Sequence, residues 1–280
     1  MRKWLKRSLF VVLLVAAILA AAAWANRVPN LPVPADIVKR TEKILLQGAT
    51  QHVDLYLPKD AQNAPVVIIA HGFSRHRRVM AGWGILLAQN GMIAVVPTLP
   101  AFADQARNIR AIHDLIALVH EPGFFGQTTP NGDVALMGHS AGGFNTLIAL
   151  TGEHSVRCWI GLDPVDFNDH GLRCAKALQI PSLMLLAESG AWNRYANAVP
   201  WIATNPDSLT ALRILGSSHC DPENPTSPLA DLVCGQTDPE RRTVYERYAI
   251  AMLRKTLFGD ETAAKTLAGA SSDPKVTVLK

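Results

Sequence analysis

The sequence predicts an α/β fold: a doubly wound, mostly parallel sheet with helices on both faces and no large cap domain. Three observations predict it. Runs such as Pro65-Val66-Val67-Ile68-Ile69-Ala70 and Met92-Ile93-Ala94-Val95-Val96 have the unbroken hydrophobicity of strands buried on both faces. Segments with apolar residues at helical spacing alternate with them. Between one such run and one such segment stands Gly138-His139-Ser140-Ala141-Gly142, a G-x-S-x-G turn that leads from strand into helix.

The first 25 residues stand apart. Arg2, Lys3, Lys6 and Arg7 precede an uncharged apolar run from Leu9 to Ala25, the pattern of an export signal or a membrane anchor, and Ala23-Trp24-Ala25 fits a small-x-small cleavage site. Either reading places the remainder outside the cytoplasm, as a periplasmic, secreted or membrane-anchored protein. The four basic residues account for the whole formal charge of +4, so the rest of the chain is neutral and nucleic-acid binding has no electrostatic support. Residues 26–43, with Pro29, Pro32 and Pro34, read as a stiff linker. A catalytic domain is expected over 44–258 and a peripheral polar tail over 259–280.

Within that domain, the alternation from Ile44 to Leu57 suggests one or two antiparallel edge strands that end at Pro58. The strand ending at Ala70 runs into His71-Gly72-Phe73. A helix around 81–90, the strand at 92–96 and a helix over 103–120, with apolar Ile109, Ile112, Leu115, Ile116 and Val119, complete a β-α-β rhythm. After the elbow helix come strands at Val156–Leu162, Ser182–Ala187 and Leu209–Leu215, then a helix over Pro239–Phe258. The gaps that could hold a cap are about sixteen residues after Asp163 and about twenty after Glu188, too short for one. An open cleft is expected, with Phe73, Trp83, Phe102, Trp192 and Trp201 as candidate lining. Arg75-His76-Arg77-Arg78 reads as a solvated charge run that could also attract an anionic substrate.

In such sheets the chemistry lies at the carboxyl ends of the strands. A serine hydroxyl needs a base within hydrogen-bond reach and a carboxylate to orient that base. Ser140, lifted by its strained turn, is the candidate nucleophile. His219, after the last of the long strands, is the candidate base and keeps the Ser, acid, His order of an elbow serine. For the acid, Asp163, Glu188 and Asp166 all follow strands. Negative charge developing on a carbonyl oxygen needs two N–H donors, and those of Ala141 and Phe73 are placed to supply them. Four cysteines lie in the second half of an apparently exported chain, which makes disulfides plausible; Cys158 with Cys174 and Cys220 with Cys234 would close two short loops. No metal-binding spacing occurs.

Over about residues 45 to 258 the chain resembles the α/β-hydrolases, in particular the neighbourhood of chlorophyllases, platelet-activating-factor acetylhydrolases and cutinase-like polyester hydrolases. Gly-His-Ser-Ala-Gly-Gly at 138–143 and His-Gly-Phe at 71–73 are shared broadly. Gly161-Leu162-Asp163-Pro164-Val165-Asp166 resembles the chlorophyllase segment that bears an aspartate, and Ser218-His219-Cys220 resembles the histidine-cysteine junction of this group. The resemblance implies Asp163 as the acid over Glu188. It also implies a serine esterase that needs no cofactor, takes a small-molecule or lipid-like ester and works as a monomer, touching the membrane only through an uncleaved N-terminal segment. An acyltransferase using the same residues, or a silent binding protein of the same fold, are the alternatives.

Overall fold

The computed structural model describes residues 27–279, so the targeting segment expected at 1–25 lies outside the described residues. Among the described residues no helix is long and apolar enough to cross a membrane. The architecture is one nine-stranded sheet in the order β1-β2-β4-β3-β5-β6-β7-β8-β9. Its strands are β1 (Ile37–Leu46), β2 (Ala49–Pro58), β3 (Gln62–Ala70), β4 (Ile93–Pro97), β5 (Thr129–His139), β6 (Val156–Leu162), β7 (Ser182–Leu186), β8 (Leu209–Ile214) and β9 (Val276–Leu279). The central strands β4-β3-β5-β6-β7-β8 run parallel, and antiparallel strands close both edges.

Alternate side chains of each central strand feed two cores, as a sheet covered on both faces requires. On one face Val66, Ile68, Val134 and Leu136 meet α2 (Gln105–Leu118), the elbow helix α3 (Ala141–Ala149), α4 (His170–Lys176) and α5 (Pro200–Thr204). On the other, Val67, Ile69, Ala135 and Met137 meet α1 (Ala81–Gln89) and α7 (Pro239–Phe258). The short helix α6 (Pro228–Cys234) precedes α7, and α8 (Glu261–Ala268) follows it.

Four expectations need correction. The linker ends earlier than residue 43, because β1 starts at Ile37; beyond Pro34 nothing prevents pairing, and the polar alternation of Lys39, Thr41 and Lys43 suits an exposed edge strand. The stretch 259–280 is not a peripheral tail: α8 packs on α7, and Val276–Leu279 pairs antiparallel with β8 and covers its edge. Trp83 and Trp201 belong to the core and not to a cleft; their indoles donate to the Pro222 carbonyl and to Asp166. All four cysteines are free, and Cys158 and Cys174 are on opposite faces of the sheet. Burial pushes the Cys158 thiol up to about 12 against the opposing hydrogen bond to Thr256 of α7, whereas Cys174 sits on α4 beside Thr151. Cys220 and Cys234 do lie together as thiols, in hydrogen-bond contact.

Candidate active site

The carboxyl ends of β3, β5 and β6 lie level, with Ala70 paired to Gly138 and His139 to Leu162. The chain leaves β5 through Ser140, whose φ of 56° and ψ of −122° lie outside the regions an L-residue adopts without strain. Neighbouring backbone packs too closely for side chains. A Cβ on Gly138 would stand 2.4 Å from the Gly142 backbone, and one on Gly142 would stand 2.5 Å from the carbonyl oxygens of Ala70 and His71. Ser140 N–H donates to the Leu162 carbonyl (3.0 Å), which fixes the turn against β6. The strand-to-helix turn is therefore defined by main chain, and the glycines are its condition.

His219 Nε2 stands 2.9 Å from Ser140 Oγ, and His219 Nδ1 stands 2.6 Å from Asp163 Oδ2. A carboxylate only accepts, so Nδ1 carries the proton and Nε2 is left to accept from the serine hydroxyl. Burial works against the imidazolium, but the hydrogen bond and charge of Asp163 outweigh it and hold the His219 pKa above its ordinary value. Asp163 is itself fully buried at a left-handed φ of 43°. Its Oδ1 accepts from Ala187 N–H (3.0 Å), and its Oδ2 accepts from Asn193 Nδ2 (3.1 Å).

The other two candidate acids point elsewhere. Glu188 is exposed and its carboxylate accepts from Gly216 N–H (3.1 Å). Asp166 accepts from Gly171 N–H, Leu172 N–H and the Trp201 indole, so it ties the start of α4 to α5.

Several site residues had no sequence signal. Arg75, expected in a solvated run, forks onto buried Glu223, with Nε donating to Oε1 at 2.7 Å, and so joins the loop after β3 to the loop that carries His219. Arg77 donates to buried Asp54 (2.9 Å) and Arg78 to Asn30 (2.7 Å). His139 turns away from Ser140 and donates from Nε2 to the His219 carbonyl (2.7 Å). Burial, helped by nearby His219, lowers its pKa to about 4, so it stays neutral. His71 Nε2 accepts from Leu99 N–H (2.9 Å) and its Nδ1 donates to the Gly72 carbonyl (2.8 Å), which shapes the loop carrying Phe73. A charge pair 148 residues apart in sequence, such as Arg75 with Glu223, has no local pattern by which to be read.

Beside Ser140 opens a cavity of about 220 Å³, with Phe73 and Ala141 in its wall. Ala141 opens α3, where the first four N–H groups have no acceptor in the helix. The rings of Phe73 and Phe102 pack against each other in its wall at a tilt of 55°, centroids 4.5 Å apart, both partly exposed. Trp192 is also exposed, and its indole donates to the Val233 carbonyl (2.7 Å).

A family model described as the alpha/beta hydrolase family matches residues 66–274, a span from β3 to the approach of β9 that includes the elbow, Asp163 and His219. The chain belongs to the alpha/beta hydrolase family. This hydrolase has no match among curated proteins. Its fold places a serine, an imidazole and a buried carboxylate in series at the carboxyl edge of the sheet, where the family's open-sheet geometry puts chemistry.

Proposed function

We propose that this hydrolase cleaves carboxylic esters through an acyl-enzyme on Ser140. One observation carries the reading: the series Asp163–His219–Ser140, with contacts of 2.6 and 2.9 Å and each proton position dictated by its acceptor. His219 Nε2 takes the Ser140 proton as Oγ attacks the ester carbonyl. The tetrahedral oxyanion is held by the N–H groups of Phe73 and Ala141. As the intermediate collapses, the carbon–oxygen bond to the alcohol breaks and His219 returns the proton to the leaving oxygen. A water, deprotonated by the same Nε2, then attacks the acyl carbon and releases the acid from Ser140. Asp163 stabilises the imidazolium formed in both halves and remains ionised throughout.

The narrower likeness to chlorophyllase-type and acetylhydrolase-type esterases is supported by Gly161–Asp166, whose aspartate is the one that meets His219. The basic and then apolar first 25 residues support work outside the cytoplasm. The full chain is expected to hydrolyse p-nitrophenyl esters of short acids and to label with a fluorophosphonate probe. Ser140→Ala is expected to lose both. A folded wild-type protein that neither labels nor turns over would refute the reading.

A further inference from the structure

Exposed apolar side chains gather on both sides of Ser140. In the sheet, β3 and β4 lie to one side of β5, and β6, β7 and β8 to the other. The loops after β3 and β4 carry the paired rings of Phe73 and Phe102. On the other side, Leu229, Leu232 and Val233 stand at i, i+3 and i+4 of α6, so they share one helix face. That face is turned to solvent, with Leu232 82% exposed. Trp192, in the loop after β7, is bonded to the Val233 carbonyl and is 52% exposed. The bond uses its indole N–H, so the exposed ring has no polar atom to offer water. Asp231, the one charged residue of α6, accepts from Thr237 N–H (3.0 Å) and Thr237 Oγ1 (2.9 Å). Both elements adjoin the catalytic series: Asn193, next to Trp192, bonds Asp163, and Cys234, at the end of α6, meets the Cys220 thiol beside His219.

Apolar residues scattered singly on a surface need no explanation, but a cluster around a nucleophile marks an interaction surface. The path of the chain tells what covers it. Asn30 accepts from Arg78 (2.7 Å), in the turn that follows the Phe73 loop. Beside it Arg77 holds Asp54, which pairs with Val96 at the carboxyl end of β4. From Asn30 the chain descends the α1–α7 face, where Leu31 and Val33 pack, to Ile37, which pairs with Pro58 at the opposite edge. The chain therefore enters the domain at the catalytic edge. The apolar run Leu9 to Ala25 ends five residues before Asn30, within about 18 Å of it even on a fully extended chain. A bilayer that holds this run meets the catalytic edge first. A tryptophan ring among aliphatic side chains, on a helix face without charge, suits the boundary between headgroups and acyl chains.

We propose that the catalytic edge docks on a lipid surface, with Trp192, Leu232 and Val233 on one side of Ser140 and Phe73 and Phe102 on the other entering that boundary. Ser140 then meets esters held in the lipid phase, and this consequence alone rests on the serine-esterase reading.

The test reads Trp192 with the full chain in phosphatidylcholine vesicles. The chain has six tryptophans, so the emission lost in Trp192→Phe isolates this one. In vesicles of brominated phosphatidylcholine, whose bromine atoms quench only at close range, that difference emission is expected to be largely quenched. Leu232→Asp changes a side chain that lies in solvent and is expected to lower the docked-to-undocked ratio read from quenching about tenfold or more, the loss that goes with one leucine no longer buried. Phe258→Ser, at the end of α7 beside Gly91 on the opposite edge, is expected to leave the ratio unchanged. Difference emission that brominated lipid does not quench, in vesicles that carry the protein, would overturn the docking. Equal falls in the two variants would overturn its assignment to this edge. A dimer mass in detergent solution that Leu232→Asp returns to monomer would give the patch to a second copy and overturn the proposal. None of these readings uses catalysis, so they are decided apart from the esterase reading. The source of substrate is read as the rate on p-nitrophenyl dodecanoate held in vesicles relative to that on p-nitrophenyl butyrate in solution. Leu232→Asp is expected to lower this ratio, and an unchanged ratio would overturn delivery from the lipid phase.

Discussion

Ser140 and His219 stand within one hydrogen bond of each other, yet opposite means hold them. Ser140 is fixed by main chain: a strand, a strained turn, a helix, and glycines that admit carbonyl groups within van der Waals range. His219 lies on a loop and is fixed by side chains. Asp163 holds its Nδ1 and His139 holds its carbonyl, while Glu223 four residues on is held by Arg75. Beneath it, the Tyr245 hydroxyl donates to Ser217 Oγ, which donates in turn to the Ile214 carbonyl at the end of β8. Main-chain positioning tolerates no added volume, whereas side-chain positioning tolerates volume but depends on charge and proton placement.

The largest expected effect tests the first half of that contrast. In Gly142→Ala the new methyl meets two backbone oxygens at 2.5 Å, and neither can move without shifting β3. A loss of at least about 3 kcal/mol follows, read as a fall in Tm of roughly 6–12 °C for a chain of this size. Gly190, in the loop after β7 that carries Asn193, has open space around its Cβ position and an extended φ of −161°. Gly190→Ala should leave Tm within about 2 °C. Equal losses at the two positions would break the contrast.

The second effect is smaller in stability and large in rate. Asp163→Asn keeps the volume and removes the charge that fixes the His219 tautomer, so kcat should fall on the order of 10³ to 10⁴-fold with the fold retained. Glu188→Gln, whose carboxylate meets only Gly216 N–H, should change kcat by less than about threefold. The reverse ranking in steady-state assays would move the orienting acid to the end of β7.

The same contrast explains what could be read before the structure. Ser140 and the strand Val156–Leu162 were legible because strand, glycine and helix patterns are local. The serine, acid and histidine could be ordered along the chain because each follows a strand. Asn193, Glu223 and Arg75 were not legible, since their roles depend on partners 30 to 148 residues away and on burial that composition does not register. The run at 75–78 misled in part for that reason: Arg78 is exposed, as a solvated run predicts, but Arg75 and Arg77 look solvated only until Glu223 and Asp54 arrive from other elements. β9 escaped because four residues are too few for alternation to stand out, and pairing with β8 alone makes them a strand.

The smallest effect is a slope. His139 and His71 are fully buried and held near a pKa of about 4, chiefly by burial. For His139 the neighbouring His219 adds to this, and Glu223 and Asp163 oppose it; for His71 the Gly72 hydrogen bond opposes it. In the unfolded chain both return to about 6.5. Between those values the unfolded state binds more protons, so stability rises with pH and is lost as pH falls from 6.5 towards 4, by up to about 1.4 kcal/mol per pH unit for each group. His219 acts in another window: its pKa is raised, so its contribution is complete below 6.5 and is lost as pH rises through the raised value. Urea unfolding between pH 5 and 6 reads the two fully buried histidines beside His76, whose pKa is also lowered by burial and by its arginine neighbours, and Glu246, whose pKa burial raises. His139→Gln, which keeps a donor for the His219 carbonyl and cannot titrate, should remove about half of their slope there. An unchanged slope would mean that His139 is not a proton-sensitive strut of the His219 loop.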